Sequence, residues 1–323
     1  MDRAGNRETA RIVAVCVCTR GRPQMLRRCL ASLRRQQVDP RQLQMKLVLV
    51  DNNPEPTAWP IYDDLFGSQG PLGFVHCPRP GIPMARNAAL EAALSVGAEY
   101  IAFLDDDEVA PPHWLGSIMQ ALEDSRADAV QGSVGNPPMS EEALATCAPV
   151  PRRKPARAEM ESLATCNVLF KSRLVEPPLA LRFDEAMQFT GGSDREFFMR
   201  AHKRGAKLVR VDGADVFEEI PESRRSLGYQ ASRAFAGGSN YFLRMCKNEP
   251  GLVAAVRITL RALDGCLSGL AKLALSAGLL LALRPGTARA QWRKGCKSLC
   301  FAAGCVTPVA GVRAYPYRHI QGA

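Results

Sequence analysis

The chain has 323 residues, of which 46% are hydrophobic and 23% are charged. This composition is typical of a globular protein and excludes an intrinsically disordered chain. The formal net charge of +10 is uneven: residues from Glu222 onward hold 15 Lys and Arg against three acidic residues, whereas residues 1–221 hold 27 basic against 29 acidic residues. We therefore expect the C-terminal part to face a polyanion, either nucleic acid or an anionic membrane surface.

Eleven cysteines are present, an odd number without any CxxC pair, and many lie in apolar segments. This pattern favours reduced core thiols in a cytosolic protein over disulfides. A metal cluster at Cys296, Cys300 and Cys305 is the less favoured alternative. Residues 1–11 are polar and charged, without the apolar core of a signal peptide, so we expect none there.

The chain opens with a predicted strand, loop and helix. Residues Ile12 to Cys18 form an apolar run typical of a buried strand, and Thr19-Arg20-Gly21-Arg22 follows it. Pro23 suits the first turn of a helix, and leucines then recur at helical spacing. The sequence therefore places a basic loop after the first strand.

Three more predicted strands follow. Lys46 to Val50 ends at Asp51, Leu72 to Cys77 leads through a Pro-Gly loop into an alanine-rich helix, and the fourth strand begins at Tyr100. Strand and helix thus alternate repeatedly within about 125 residues. This alternation predicts an α/β fold with a mostly parallel central sheet and helices on both faces.

The fourth strand ends in four adjacent carboxylates, those of Asp105, Asp106, Asp107 and Glu108. Adjacent carboxylates repel one another, but hard divalent cations take carboxylate oxygens and often bring substrate phosphates with them. Ligands of open α/β sheets bind outside the carboxyl ends of the strands. We therefore predict a divalent metal site here, with a solvated acidic loop or a helix start as the alternative.

The strand ends favour one kind of ligand over others. No glycine-rich dinucleotide or P-loop fingerprint follows the first strand, which argues against a nicotinamide cofactor or a triphosphate cradle. A nucleotide lying across the strand ends could contact Thr19 and Asp51 through its base and ribose. Its diphosphate would then meet a metal at the acidic cluster.

Several short motifs occur in order along the chain. They are Thr19-Arg20-x-Arg22, Asp51-Asn52, Pro80-Gly81-x-x-x-Ala85-Arg86-Asn87, Phe103-Leu104-Asp105-Asp106-Asp107-Glu108, and Phe183-Asp184-Glu185 with the later Gly191-Gly192-Ser193-Asp194-Arg195-Glu196-Phe197-Phe198-x-Arg200. This order resembles family-2 glycosyltransferases of the GT-A fold, from roughly Arg11 to Tyr241. It most resembles the subset that builds bacterial exopolysaccharide repeats on a lipid carrier, such as the succinoglycan glucosyltransferases.

The sequence departs from that family's pattern in two places. The second acidic motif reads Gly-Ser-Asp at Asp194, where Gly-Glu-Asp is commoner. A Gln-x-x-Arg-Trp signature is missing, which argues against a processive synthase of the cellulose or chitin type.

The resemblance implies a role for each motif residue. Asp194 would be the general base, and Asp107 would bind Mn²⁺ or Mg²⁺ together with Asp105, which could bind the ribose instead. The remaining residues would bind the nucleotide or its diphosphate: Thr19, Arg20, Arg22, Asp51, Arg86, Arg224 and Arg225.

Each role has a structural alternative. The basic loop could simply be solvated, and Asp51 could open a turn with the asparagines that follow it. Ser193-x-x-Glu196 is also a good capping box, in which Asp194 would be stabilised by the helix dipole. The helix of Arg224 and Arg225 could face anionic lipid.

The resemblance implies a reaction that moves a hexose, such as glucose, from a UDP-sugar to a saccharide acceptor carried on polyprenyl diphosphate. In such a reaction the first acidic motif stabilises the leaving diphosphate through a metal, and the second acidic motif accepts the proton of the acceptor hydroxyl. A single displacement of this kind inverts the anomeric centre. The alternatives are a nucleotidyltransferase, a non-catalytic nucleotide-sugar binder and a nucleic-acid-binding protein. The basic region lacks interleaved aromatics, so we expect no nucleic acid partner.

The chain is predicted to have a GT-A catalytic domain over residues 1–250 and a basic helical region over residues 251–323. The nucleotide-sugar half of the catalytic domain would cover about residues 11–135 and the acceptor half about 136–250. Residues 137–158 would form a loop over the site or an ordinary exposed loop. Residues 163–170 form a strand-like segment, in which Asn167 would face the acceptor.

The segment Gly251 to Leu283 predicts an amphipathic helix in a membrane interface. Its polar residues fall on one stripe, and its uncharged run of 11 residues is shorter than the roughly 20 that a span needs. We therefore expect a cytoplasmic protein attached peripherally to the anionic inner face of the cell membrane, with a re-entrant segment or a packed soluble helix as alternatives. The stripe consists of Arg257, Arg261, Asp264, Ser268 and Lys272.

Overall fold

The computed structural model of the chain describes residues 10–67, 73–135, 157–218 and 225–312. These residues divide between two compact units. Unit 1 comprises residues up to 186 together with 193–219, and unit 2 comprises residues 187–192 and 220–322.

Unit 1 contains two sheets. The larger has the strand order β3-β2-β1-β4-β9-β6-β10-β8, and the smaller has the order β5-β11-β7. In the larger sheet β8 and β9 run antiparallel to their neighbours, and the other adjacent pairs are parallel. The strands are β1 (Arg11–Thr19), β2 (Leu43–Asp51), β3 (Phe74–His76), β4 (Tyr100–Asp105), β5 (Glu108–Val109), β6 (Ala129–Gln131), β7 (Val134–Gly135), β8 (Arg157–Glu159), β9 (Val168–Lys171), β10 (Leu208–Val211) and β11 (Val216–Glu218).

Helices cover both faces of the larger sheet. Alternate residues of β1 point to opposite faces, so Val15 belongs to one hydrophobic core and Cys16 to the other. The predicted α/β fold, with a mostly parallel sheet between helical layers, is confirmed. The helices are α1 (Pro23–Arg34), α2 (Trp59–Phe66) and α4 (Trp114–Ser125), which pack on the first core, and α3 (Ile82–Ser95) and α5 (Ser193–Lys203), which pack on the second.

Parallel pairing brings the carboxyl ends of three strands to one edge. Thr19 of β1 lies opposite Asp51 of β2, and Cys18 lies opposite Asp105 of β4. The predicted loop and carboxylate motifs therefore sit side by side. This edge positions the candidate site.

The strand predicted over residues 163–170 is shorter in the structure. Strand β9 begins only at Val168, because Asn167 adopts a left-handed conformation with φ of +48°. Asparagine tolerates this backbone region better than most residues. The predicted strand therefore lacks its first five residues.

Unit 2 is built on three long helices, α6 (Leu227–Asn248), α7 (Gly251–Leu281) and α8 (Pro285–Val306). Glycines allow α8 to approach the other two closely. A side chain at Gly304 would collide with the carbonyl of Phe235 in α6, and a Cβ at Gly269 of α7 would lie 2.8 Å from the Leu299 side chain. The predicted helical C-terminal extension is confirmed.

Candidate active site

Four carboxylates at the end of β4 differ in exposure. The side chain of Asp105 is 45% exposed, whereas those of Asp106 and Asp107 are 6% and 7% exposed. Glu108 is buried, and its Oε2 accepts a 2.9 Å hydrogen bond from the backbone N–H of Asp105. Asp105 is therefore the member of the cluster that faces outward.

The end of β1 and the loop after it contact the two buried aspartates. Thr19 Oγ1 donates to Asp106 Oδ2 over 2.8 Å. Arg22 Nη1 donates to Asp106 Oδ1 over 3.0 Å and to Asp107 Oδ2 over 3.2 Å. Thr19 and Arg22 thus lie beside the acidic cluster, and their contact with a nucleotide stays a prediction.

A cation reaches the exposed aspartate from α3. Arg86 Nη2 lies 3.9 Å from Asp105 Oδ1, and the Arg86 guanidinium carbon lies 5.7 Å from the centre of the Phe183 ring. The backbone of Phe183 is fixed by Asn87, whose side chain accepts from its N–H over 2.8 Å and donates to its carbonyl over 3.0 Å. The sequence motif around Arg86 therefore places a guanidinium, packed against Phe183, beside Asp105.

The environment of Asp105 links it to Asp194. Although the Asp105 side chain is 45% exposed, loss of hydration beside the surrounding protein atoms raises its pKa to about 7; Arg86 opposes this rise, and the charges of Asp107, Asp106 and Asp194 add to it. Asp194 is half-buried in the first turn of α5, where its Oδ1 accepts a 2.8 Å hydrogen bond from the N–H of Arg195. The two acidic motifs, about ninety residues apart in sequence, are thus near enough for their charges to interact.

The carboxylate oxygens of Asp105 are suitable ligands for a divalent cation. Its carboxylate is exposed and crowded by like charges, which a cation would relieve. Within the described ranges, no group of three or more His, Cys, Asp or Glu could hold a metal by itself. Further ligands would thus come from the diphosphate and water, as is usual for Mg²⁺. Since Asp107 already accepts from Arg22, its predicted ligand role stays a prediction.

Two predicted nucleotide contacts have contrasting environments. Asp51 is fully buried and accepts from the N–H groups of Asn53 and Ala58 over 3.0 and 2.6 Å, so a ligand could reach it only if this turn opened. Arg20, by contrast, has a buried Nε without a hydrogen-bond partner in the described structure. Such a donor is suited to an acceptor supplied by a ligand.

Other predicted residues lie elsewhere. Arg224 and residues 137–156 of the loop predicted over 137–158 fall outside the described residues, whereas residues 157–158 belong to strand β8. Arg225 is exposed in unit 2. Asn167 is fully buried: its amide accepts from Trp114 Nε1 over 2.7 Å and donates to the carbonyl of Ala214 over 2.6 Å. The expectation that Asn167 faces the acceptor is therefore wrong, because its side-chain amide is buried and hydrogen-bonded to Trp114 and Ala214.

One segment beside the site was missed by sequence reasoning. Gln131 donates to the carbonyl of Cys166 over 3.2 Å and accepts from the N–H of Ala164 over 3.2 Å. Burial raises the pKa of the Cys166 thiol, and the charges of Asp105, Glu108 and Asp194 raise it further. The segment Ala164–Cys166 therefore borders the acidic site, which only the antiparallel pairing of β9 with β4 could have indicated.

Comparison with known proteins identifies the family. The sequence profile described as Glycosyl transferase family 2 matches residues 14–163. The succinoglycan biosynthesis protein ExoM of Rhizobium meliloti (strain 1021) is 31% identical over 265 residues, which cover 80% of this chain and 82% of that protein. The chain belongs to glycosyl transferase family 2.

Solved structures agree on the fold of this family-2 glycosyltransferase. Residues 1–349 of S. aureus TarS superpose with a TM-score of 0.51 and 14% identity, covering 93% of this chain and 92% of that one. The same TarS fragment in complex with UDP gives a TM-score of 0.50 at 14% identity, covering 96% and 94%. At this identity the likeness shows the fold alone.

The family profile covers only part of the candidate site. It spans Thr19, Asp51, Arg86 and the acidic cluster, but ends before Asp194. The assignment of Asp194 therefore rests on its own motif and on the interaction of its charge with that of Asp105.

Proposed function

We propose that this family-2 glycosyltransferase moves a hexose, such as glucose, from a UDP-sugar to a saccharide acceptor with inversion at the anomeric carbon. The observation that carries the proposal is the ion pair of Asp105 with Arg86 at the carboxyl edge of the sheet, near enough to Asp194 for the two carboxylate charges to interact. This edge is where open α/β sheets bind ligands. A carboxylate and a cation for the donor diphosphate lie there together with a second carboxylate for the acceptor.

The donor is proposed to lie along the loop after β1. The unpartnered Arg20 Nε offers a donor to it, and Arg86 offers a supported positive charge to its phosphates. A UDP nucleotide is favoured because TarS, which shares the fold, has been solved with UDP. Thr19 and Arg22 lie next to this path, while contacts of Arg224 and Arg225 with the diphosphate stay predictions from the sequence.

The proposed reaction is a single displacement. Asp194 accepts the proton of the acceptor hydroxyl as that oxygen attacks the anomeric carbon, and the bond from this carbon to the diphosphate breaks on the opposite side. Arg86 stabilises the charge that develops on the leaving diphosphate. When bound by Asp105, with Asp107 as a second ligand, Mn²⁺ or Mg²⁺ supplies further stabilisation of that charge.

The acceptor is proposed to be a growing saccharide on polyprenyl diphosphate. The likeness to ExoM, a succinoglycan biosynthesis protein, supports a role in exopolysaccharide synthesis. An acceptor of this kind would be met at the cytoplasmic face of the cell membrane. The proposed enzyme would then bring a soluble donor to a lipid-held acceptor.

A donor screen tests the proposal. The full chain is incubated with UDP-, GDP- and dTDP-hexoses, Mn²⁺ or Mg²⁺, and polyprenyl-diphosphate-linked saccharides, and the released products are separated. The proposal expects release of UDP with elongation of the acceptor by one hexose. Release of pyrophosphate would indicate a nucleotidyltransferase instead, and tight donor binding without release would indicate a non-catalytic binder.

A further inference from the structure

One side of α7 is made of small or buried residues and packs within unit 2. Gly265 and Gly269 lie one turn apart on this side, and a Cβ at Gly265 would lie 3.1 Å from the Cβ of Ala302 in α8. Small residues at this spacing let two helix backbones approach closely. The buried residues of α7 are Ala254, Ile258, Ala262, Gly265, Gly269 and Ser276.

The opposite side of α7 exposes large apolar residues. They recur at intervals of four, four, three, four and three, which places them on one side of the helix. Leu260 and Leu267 each follow a buried residue by two positions, or about 200° around the helix, so their side faces away from the packed side. We call this surface the leucine face: Leu252, Val256, Leu260, Leu263, Leu267 and Leu270, exposed by 80%, 49%, 61%, 53%, 69% and 58%.

A continuous exposed apolar surface of this kind marks an interaction site. From Leu252 to Leu270 it extends about 27 Å along the helix, at about 1.5 Å per residue. The surrounding charge indicates the partner. Residues 225–312 hold 12 Lys and Arg against only Glu249 and Asp264, so unit 2 favours an anionic surface.

The start of α8 adds positive charge close to the end of α7 in sequence. Arg284, Arg289, Arg293 and Lys294 are all exposed there. A large apolar side combined with basic residues is typical of helices that lie in the interface of an anionic bilayer. A protein partner would not require this excess of positive over negative charge.

The polar residues of α7 distinguish an interfacial helix from a spanning one. By length and composition α7 could cross a membrane, and only 17% of its most apolar stretch is buried. However, Arg261 pairs with Asp264 near the middle of the helix, and its guanidinium carbon lies 5.0 Å from the centre of the Phe301 ring. A span would place this pair in hydrocarbon, whereas an in-plane helix keeps it at headgroup level.

The polar stripe also binds α7 to α8. Lys272 Nζ donates to Ser268 Oγ over 2.7 Å and to Ser298 Oγ of α8 over 3.0 Å. The stripe thus lies between the packed side and the leucine face. Contact with α8 therefore fixes α7, so that its leucine face is a preformed surface.

We propose that the leucine face of α7 inserts into the surface of an anionic lipid bilayer, with α7 lying in the membrane plane. This inference stands on unit 2 alone and does not depend on the donor or on the proposed base. It assigns to the basic extension a membrane-binding role with named lipid contacts. The contacts are apolar, and the surrounding basic residues supply the preference for anionic lipid.

Vesicle sedimentation of the full chain tests the proposal. Vesicles of phosphatidylglycerol with phosphatidylethanolamine are compared with vesicles of phosphatidylcholine at low and high salt. We expect binding to the anionic vesicles that weakens at high salt and is removed by alkaline carbonate. Failure to bind anionic vesicles at low salt would overturn the proposal, as would a protein that only detergent extracts.

Paired variants test the face itself. The triple variant Leu260→Ser, Leu263→Ser and Leu267→Ser should lose at least ten-fold in vesicle affinity and keep the UDP affinity of the parent chain. The matched control replaces three exposed valines near the end of unit 2 with serine and should bind vesicles normally. Unchanged vesicle binding by the leucine variant would overturn the proposal, as would conversion of a dimer to a monomer, which would show that a second copy covers this face. The control valines are Val306, Val309 and Val312.

Discussion

The hydroxyl of Thr19 donates a 2.8 Å hydrogen bond to the carboxylate of Asp106. The other oxygen of that carboxylate accepts from Arg22, and the Asp106 side chain is only 6% exposed. The middle aspartate of the acidic cluster therefore joins the loop after β1 to the end of β4. Burial raises the pKa of Asp106 above its usual range, and the charge of Arg22 together with the hydrogen bonds from Thr19 and Arg22 opposes that rise.

Removing Asp106 should destabilise unit 1. In Asp106→Ala, Arg22 loses a buried carboxylate partner, so we expect a loss of about 3 kcal/mol in the free energy of unfolding. Thr19→Val removes one hydrogen bond and should cost about 1 kcal/mol. Urea denaturation followed by near-UV circular dichroism measures both. Equal, small losses would show that Asp106 has no such joining role.

Gly132 should not tolerate a side chain. A Cβ at this position would collide with the carbonyl of Ala214 and with the amide of Asn167, which holds the core beside the site. We expect Gly132→Ala to cost at least about 2 kcal/mol of stability. Gly116 is the matched control, because it lies within α4 and a Cβ there meets nothing within 4 Å. Gly116→Ala should be neutral or stabilising by up to about 1 kcal/mol, and a comparable loss in both variants would contradict the packing argument.

The fold was predictable because its signals are local. Buried strands such as Val13 to Val17 are nearly continuous apolar runs, and alternation with helices requires parallel pairing. Parallel pairing then brings Thr19, Asp51 and Asp105 to one edge without any knowledge of contacts. The edge of the sheet, and with it the location of the acidic cluster, follows from sequence order.

Side-chain partnerships were not predictable in the same way. Asp51 and Asn167 have the residue types of ligand contacts, yet both are fully buried in hydrogen-bond networks. Cys166 lies beside the acidic site because strand β9 pairs antiparallel with β4. The local sequence does not indicate whether a strand pairs parallel or antiparallel with its neighbour. Whether a polar residue faces a ligand or the core depends on long-range packing, which residue type alone does not encode.

Metal dependence can be separated from nucleotide binding. If Asp105 and Asp107 hold the cation with the diphosphate, UDP affinity should rise about ten-fold or more on adding Mn²⁺ or Mg²⁺. Asp105→Asn and Asp107→Asn should each abolish that rise in isothermal titration calorimetry. Asp64→Asn is a suitable control, because Asp64 pairs with Arg27 at the surface.

The outcomes of that titration separate the two aspartates. A rise that persists in Asp107→Asn would confine Asp107 to its pairing with Arg22 and leave Asp105 as the ligand. UDP binding of equal strength in EDTA would remove the metal role from both.

The transfer rate of Asp194→Asn tests the account most directly. The asparagine can still accept the hydrogen bond from the Arg195 N–H, so α5 should remain intact, but it cannot take a proton from the acceptor hydroxyl. We predict a folded variant that binds UDP as the parent chain does and transfers hexose at least about 10²-fold more slowly. Nearly normal transfer by this folded variant would contradict the account, because the second acidic motif would then have no part in the chemistry.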